Sequence, residues 1–352
     1  MAAPGANFRG RLRLGGRDDR VFAILTPWKD RAGMNPDPGG APTGYLSAEY
    51  GQSFRPAGRI VTLPRSGLQL IEREIRPGAS DLIGLYPYSM CRDFAALETK
   101  EDRAALSATG AVAVSFVADP FAGDAVRAAL AGWTVCRRFK TQFVIDLASD
   151  WRAARSRTVR RFVRRGAARQ KITTTPADPS QAADFWRLYQ NTIRRHGVSG
   201  IQRLSRAIIT QQLGVPGAYM VASSIDGRIT GMALCYVHAS HVSGDLICFD
   251  DRHYADYTSY VLFDAAAAHA EGLGCRWFNL GGPAGLKDDP EDGLYQFKRR
   301  WSRTTRETTL CGQVLNSPAY DRLCAEAECD PESAFFPAYR QPGSPYEWRP
   351  GL

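Results

Sequence analysis

Histidine is scarce in this chain, 5 in 352 residues, and none recurs at the H-x-x-x-H spacing that sets two imidazoles on one helix face around a metal. No Gly-x-Ser-x-Gly elbow and no Walker loop is present, which removes hydrolase and kinase readings. The cysteines Cys91, Cys136, Cys235, Cys248, Cys275, Cys311, Cys324 and Cys329 include no C-x-x-C pair. They read as reduced, mostly buried thiols, and no metal site is expected. No apolar run approaches the ~18 residues of a membrane-spanning helix. The Gly- and Arg-rich start, to Arg20, has no apolar segment like that of a secretory signal. The expectation is a cytoplasmic chain with no membrane partner.

Positive charge, by contrast, is plentiful. Lys and Arg number 45 against 36 Asp and Glu, a formal net charge of +9. A field of that sign attracts polyanions such as nucleic acid or a phosphorylated cofactor. Its placement says more than its sum. Between Trp151 and Asp178 there is no acidic residue, while Arg152, Arg155, Arg157, Arg160, Arg161, Arg164, Arg165, Arg169 and Lys171 crowd the same stretch. On a helix, Val159, Phe162 and Val163 would leave a narrow apolar seam for a core. Like charges around that seam destabilise the helix unless something neutralises them. Two readings stand: a footprint for a phosphate backbone, with steep salt dependence, or a solvated face paired with carboxylates elsewhere in the chain.

Apolar residues at 44% and charged residues at 23% are an ordinary globular balance. The length suits two domains at roughly 100–200 residues each, with cores that need no staple. In the first half, 21–28, 59–63, 68–75, 82–88, 111–117 and 134–139 read as strands, with helices over 100–109 and 123–131. In the second half, 141–147 reads as a strand, 151–169 as the basic helix and 171–175 as a β-branched strand. An amphipathic helix over 180–196 carries Ala183, Trp186, Tyr189 and Ile193 on one stripe, and another helix covers 205–214. The runs 217–225 and 228–238 flank Asp226-Gly227, the strongest hairpin signal in the chain. A strand over 241–249, a helix over 257–271, a strand over 276–280, a helix over 291–301 and a strand over 308–314 follow. The fold class is α/β with mixed sheets.

Four stretches carry a family resemblance. They are the helix RTVRRFVRRGAARQKITT, the strand–loop–helix GDLICFDDRHYADYTSYVLFDAAAAHAEGLGCRWFNLGG, the run GLYQFKRRWS, and LIGLYPYSMCRDF in the first half. In this order they resemble the Fem-type (FemABX-like) aminoacyl-tRNA-dependent transferases and, more widely, the GNAT acyltransferases. The resemblance implies two tandem GNAT-like domains, 1–138 and 139–314, with the tail 315–352 packed back on the first. It implies an aminoacyltransferase that uses aminoacyl-tRNA as co-substrate, needs no cofactor, and forms an amide on a small peptide or amino-acid acceptor. A monomer is expected. The long helical hairpin of cell-wall members has no counterpart, which points to natural-product (antibiotic) biosynthesis.

The resemblance also assigns residues. Phe297 and Lys298 fall where the Fem family has its Phe-Lys pair beside the transfer centre, and Tyr295 where many GNAT enzymes have a tyrosine proton donor. Lys298 would then steady the 3′ end of the tRNA or the developing oxyanion. By spacing alone, Leu294, Phe297 and Trp301 are a core stripe and Lys298 a surface cation. Joined to the resemblance, Arg157, Arg160, Arg161, Arg164, Arg165, Arg169, Arg299 and Arg300 become tRNA contacts. Tyr86, Tyr88, Ser89 and Arg92 become acceptor-binding residues, although Tyr-Pro-Tyr also reads as a packed aromatic turn. Asp250, Asp251, His253 and Asp256 offer one base, with Asp250 and His253 as the candidates, or are simply solvated.

One departure bears on the donor. CoA-dependent GNAT enzymes usually carry an Arg/Gln-x-x-Gly-x-Gly/Ala loop, whose backbone N–H groups hold a pyrophosphate. Here Asp250–Asp256 contains no glycine and carries Asp250, Asp251 and Asp256. Bulk and negative charge both disfavour a pyrophosphate there. Fem-type enzymes lack that loop too. Two rivals remain: a GNAT enzyme using acyl-CoA or an acyl carrier, and a non-catalytic RNA-binding protein on the same fold.

Overall fold

The computed structural model describes residues 41–198, 202–283, 285, 288–330 and 333–347. The strand expected at 21–28 lies outside them. After the short helix α1 (Ala48–Ser53), β1 (Arg59–Thr62), β2 (Gln69–Arg76) and β3 (Ala79–Gly84) pair antiparallel in sequence. Helix α2 (Lys100–Ala108) leads to β4 (Ala113–Ala118), parallel to β3, and α3 (Gly123–Ala129) follows. The strand expected over 82–88 starts and stops earlier. The chain leaves the sheet after Gly84 and enters Tyr86-Pro87, where proline cannot donate to a ladder.

In the second half, β5 (Val135–Asp146) precedes α4 (Trp151–Ala154) and α5 (Arg157–Ala167). The basic stretch is therefore two helices and not one. The break falls at Ser156, whose extended backbone lets its side chain accept from the Val159 N–H as an N-cap. Next come β6 (Lys171–Pro176), α6 (Ala182–His196) and α7 (Arg206–Gln212). Then β7 (Ala218–Ile225), β8 (Arg228–Val237) and β9 (His241–Phe249) form the expected meander. Its first turn puts Asp226 at φ 48 and Gly227 at φ 78, the left-handed pair a tight hairpin demands. The chain continues through α8 (Thr258–Gly272), β10 (Trp277–Gly281), α9 (Gly293–Trp301), β11 (Thr305–Val314) and α10 (Ser317–Glu326).

All these strands join one sheet in the order β1-β2-β3-β4-β11-β5-β10-β9-β8-β7-β6. The expected boundary between 138 and 139 falls inside β5, which is a single strand where two were predicted. β11, placed by sequence in the second domain, pairs with β4 along 309–314 and with β5 along 305–312. The two halves thus share a continuous hydrogen-bonded sheet. Helices α5, α8 and α9 pack on one face of the second half around Trp151, Leu262, Phe278 and Trp301. Helices α6 and α7 cover the other face, with Tyr45 and Tyr50 reaching into the same core. The described part of the tail lies on the first half, where buried Arg340 and Tyr339 bond to buried Asp81.

Candidate functional site

Strands β9 and β10 run side by side only where His241–Ser243 face Trp277–Asn279. Beyond that the strands part. β9 bulges at Asp245, since Leu234 faces Leu246 while Cys235 faces Gly244. β10 ends in Gly281 at φ 83. A buried polar set floors the gap. Tyr88 Oη lies 2.6 Å from Ser243 Oγ and accepts from Asn279 Nδ2 at 3.2 Å. Tyr88 comes from the first half, so it ties both parted strands to the other side of the molecule. Ser243 Oγ also meets His238 Nε2 at 3.1 Å, and burial pushes that imidazole down to about 3, leaving it neutral. At the end of β4, burial pushes the Asp119 carboxyl up to about 7.

The β10 side of the gap is cationic. Lys298 on α9 is buried and donates to the Gly282 carbonyl at 2.5 Å. Lys140 on β5 donates to the Pro283 and Gly285 carbonyls at 2.6 and 2.5 Å. Burial first, then the Lys140 charge, pushes the Lys298 ammonium down to about 7, while Asp292 pulls the other way. Burial lowers Lys140 as well, against Asp288 and Asp292. A Cβ on Gly281 would stand 2.9 Å from Lys298 Nζ, so glycine leaves the ammonium its room. Asp288 fastens the connecting loop by accepting from Thr141 Oγ1 at 2.6 Å. Lys298 is thus an interior cation and not the surface one that spacing alone suggested. Lys140 was missed, because it falls at the seam between two predicted strands.

Residues 153–299 match the acetyltransferase (GNAT) domain family. FemX aligns with a TM-score of 0.59 at 13% identity, over 80% of this chain and 95% of that one. This is a Fem-like GNAT fold. L-PGS from Bacillus licheniformis aligns with a TM-score of 0.52 at 14% identity, over 84% of this chain and 91% of that one. The C-terminal domain of a proposed lysylphosphatidylglycerol synthetase from Agrobacterium fabrum gives 0.51 at 16%, over 79% and 91%. No curated protein sequence matches the chain. The match to the acetyltransferase domain family supports a transferase.

Within the GNAT half, α5 turns its seam of Val159 and Val163 inward and leaves Arg157, Arg160, Arg161, Arg164 and Arg165 exposed. None of these five ion-pairs with a carboxylate among the described residues, whereas Arg152, Arg155 and Arg169 pair with Glu271, Asp264 and Asp256. Arg299 and Arg300 continue the surface. With Arg303, Ser156 and Trp301 they line an open groove of about 470 Å³ at the start of α5. No described helix is long and apolar enough to cross a membrane.

The other sequence candidates scatter. Asp250 is gripped by Arg252 at 2.7 Å, which pulls its carboxyl down to about 2, a poor proton acceptor at neutral pH. His253 Nδ1 is engaged by Asp256 at 2.9 Å. Both lie in the short 3-10 turn Asp251–Asp256 or at its cap, and no contact joins them to Lys298 among the described residues. Charge repulsion within this turn is weaker than the sequence implied, because Arg169, Arg195 and Arg252 pair with its carboxylates. Phe297 packs, partly buried, against the core, its ring 5.0 Å from Tyr260 and 5.4 Å from Phe263. Tyr295 stands edge-on to Phe143 at 5.0 Å, one turn before Lys298. Of the first-half candidates, Tyr88 reaches the gap. Ser89 is buried beside it in sequence, its hydroxyl without a partner among the described residues, Tyr86 is half-buried, and exposed Arg92 packs near Gly67.

Proposed function

We propose that this protein is a transferase that moves an aminoacyl group from a charged tRNA to the amine of a small peptide or amino acid, forming an amide. The observation that carries this reading is the exposed row Arg157, Arg160, Arg161, Arg164 and Arg165, which has no carboxylate partner among the described residues. Such a row stays unfavourable until phosphates neutralise it. Two features speak against a CoA-type donor. Tyr88 stands in the gap between β9 and β10, so an extended arm entering there would have to displace it. At the start of α8, Phe162 stacks on Tyr257 at 4.4 Å and Gln170 donates to the Asp256 carbonyl at 2.6 Å. Those side chains fill the space from which a pyrophosphate would reach backbone N–H groups.

In the reaction, the acceptor nitrogen attacks the ester carbonyl carbon. As the C–N bond forms, the carbonyl oxygen takes negative charge and the Lys298 ammonium stabilises it. The C–O bond to the ribose then breaks. The ribose oxygen takes a proton from the Tyr295 phenol, and the surplus proton on the new amide nitrogen replaces it. The ester is already activated, so no ATP is consumed.

The test incubates the protein with a pool of radiolabelled aminoacyl-tRNAs and a panel of amines. Loss of ester that requires an amine is the expected result. Sub-millimolar binding of CoA with no tRNA binding would support the acyl-CoA reading instead. High RNA affinity with no turnover of any charged tRNA would support a binding protein.

A further inference from the structure

A cluster of tyrosines centred on Tyr45 meets one carboxylate at the gap. Asp245 is the extra residue of the β9 bulge, so its side chain leaves the alternation of the strand. Tyr45 Oη donates to its Oδ1 at 2.6 Å. Among the described residues no Arg, Lys or His ion-pairs with Asp245, and Oδ2 has no hydrogen-bond partner. Oδ2 is also not sealed in: Asp245 keeps part of its surface open, although protein crowds its carboxyl closely enough for burial to push it up to about 7. Burial first, and the Asp245 charge after it, raises the phenols of Tyr45, Tyr50, Tyr86 and Tyr236. Tyr45 is their meeting point, with ring centroids 4.6 Å from Tyr50 and 5.3 Å from both Tyr88 and Tyr236.

A half-buried carboxylate without a counter-charge is unfavourable on its own. Ring faces carry negative potential and add to its attraction for a cation. Ca²⁺ or Mg²⁺ would need about six hard oxygen ligands, and one carboxylate among phenols falls well short. A compact organic cation needs only one carboxylate and an aromatic wall. Asp245 lies on β9 just past Ser243, the last residue of β9 paired with β10, so it stands on the β9 side of the gap.

We propose that Asp245, beside Tyr45, seats a primary ammonium group of the substrate in the gap between β9 and β10. The inference rests on the aminoacyl-transfer reading, in which both partners carry such a group: the donor as its α-ammonium, the acceptor as its amine before deprotonation. Held there, the ammonium orients the reacting carbonyl, or the nucleophile, relative to Lys298. Asp245 is thus a specificity determinant.

Binding of small probes to the full chain tests this without any tRNA, so its failure is separable from failure of the tRNA reading. Isothermal titration compares leucinamide, n-butylamine and neutral N-acetyl-leucinamide. The expected result is binding of an ammonium probe, none of the acetylated one, and a loss of about tenfold or more in Asp245→Asn, the range for a hydrogen bond to a charged group. Tyr45→Phe, which keeps the carboxylate, should retain most of the affinity. Stronger binding of leucinamide identifies the donor α-ammonium as the occupant, and stronger binding of n-butylamine identifies the acceptor amine. Asp245→Asn removes an uncompensated charge and is expected to melt no lower than the parent, which guards against misfolding as the cause. No binding of either ammonium probe, or equal affinity in Asp245→Asn, overturns the proposal.

Discussion

At Lys298, burial and a neighbouring lysine both oppose the charge that the proposed chemistry needs. Its folded pKa is about 7 against an ordinary 10.5, so the folded state gives up the proton more readily than the unfolded one. The stability withheld is therefore full below pH 7 and is regained as pH rises towards 10.5. Lys298→Met is expected to abolish or cut transfer by at least ~100-fold. It is also expected to raise the melting temperature at pH 7, with the advantage shrinking as pH approaches 10.5, as a pH series of thermal melts would reveal. A merely structural lysine would lose stability on substitution. Gly281 is the second sensitive residue. At φ 83, with room for a Cβ only 2.9 Å from Lys298 Nζ, Gly281→Ala should cost about 1–2 kcal/mol in backbone strain and displace the ammonium. Denaturant unfolding and single-turnover transfer measure the two effects.

Helix α5 separates folding from binding within one element. Its seam of Val159 and Val163 holds it to the core, and Ser156 caps its start. Ser156→Ala is expected to lower stability by about 1 kcal/mol in equilibrium unfolding. The arginines do the opposite. Replacing Arg157, Arg161, Arg164 and Arg165 together by Ala should leave the melting temperature the same or higher, because like charges are removed from one surface. The same variant should weaken tRNA binding and flatten the dependence of log Kd on log salt by about 0.7–0.9 for each phosphate no longer neutralised. An unchanged salt slope would remove this helix from the interface. The run of arginines was legible in the sequence, as was the apolar seam. Whether carboxylates elsewhere neutralised the run was not, because Glu271, Asp264 and Asp256 are brought to Arg152, Arg155 and Arg169 only by packing against α8.

Across the whole molecule, the shared sheet makes the halves one mechanical unit, and the tail locks onto it at a buried charge cluster. Asp81 meets Arg73 at 2.8 Å and Arg340 at 2.9 Å, with all three side chains nearly inaccessible. Asp81→Asn leaves two guanidinium groups facing a neutral amide in a low-dielectric site, and should cost about 3–5 kcal/mol. A drop in the denaturant midpoint, with the loosened tail newly open to proteolysis, would mark it. The gap between β9 and β10 also exists only at this scale. Its floor joins Tyr88 of the first half to Ser243 and Asn279 of the second, residues 155 and 191 positions away along the chain.

The sequence by itself determined the local elements: the meander around Asp226-Gly227, the helix after Tyr257, and the strand running into Gly281-Gly282. Hydrophobic period and turn chemistry act between near neighbours, so a linear reading captures them. The basic face and the Phe-Lys run were equally visible as residues. Tertiary structure alone decided which of them share a site. It buried Lys298 beside Lys140, packed Phe297 against the core, tied Asp250 to Arg252, and brought Tyr45 onto Asp245. It also joined the strands of both expected domains in one sheet through β5 and β11. Burial and pairing depend on which distant strands become neighbours, and a carboxylate or ammonium takes its character from that environment and not from its place in the chain.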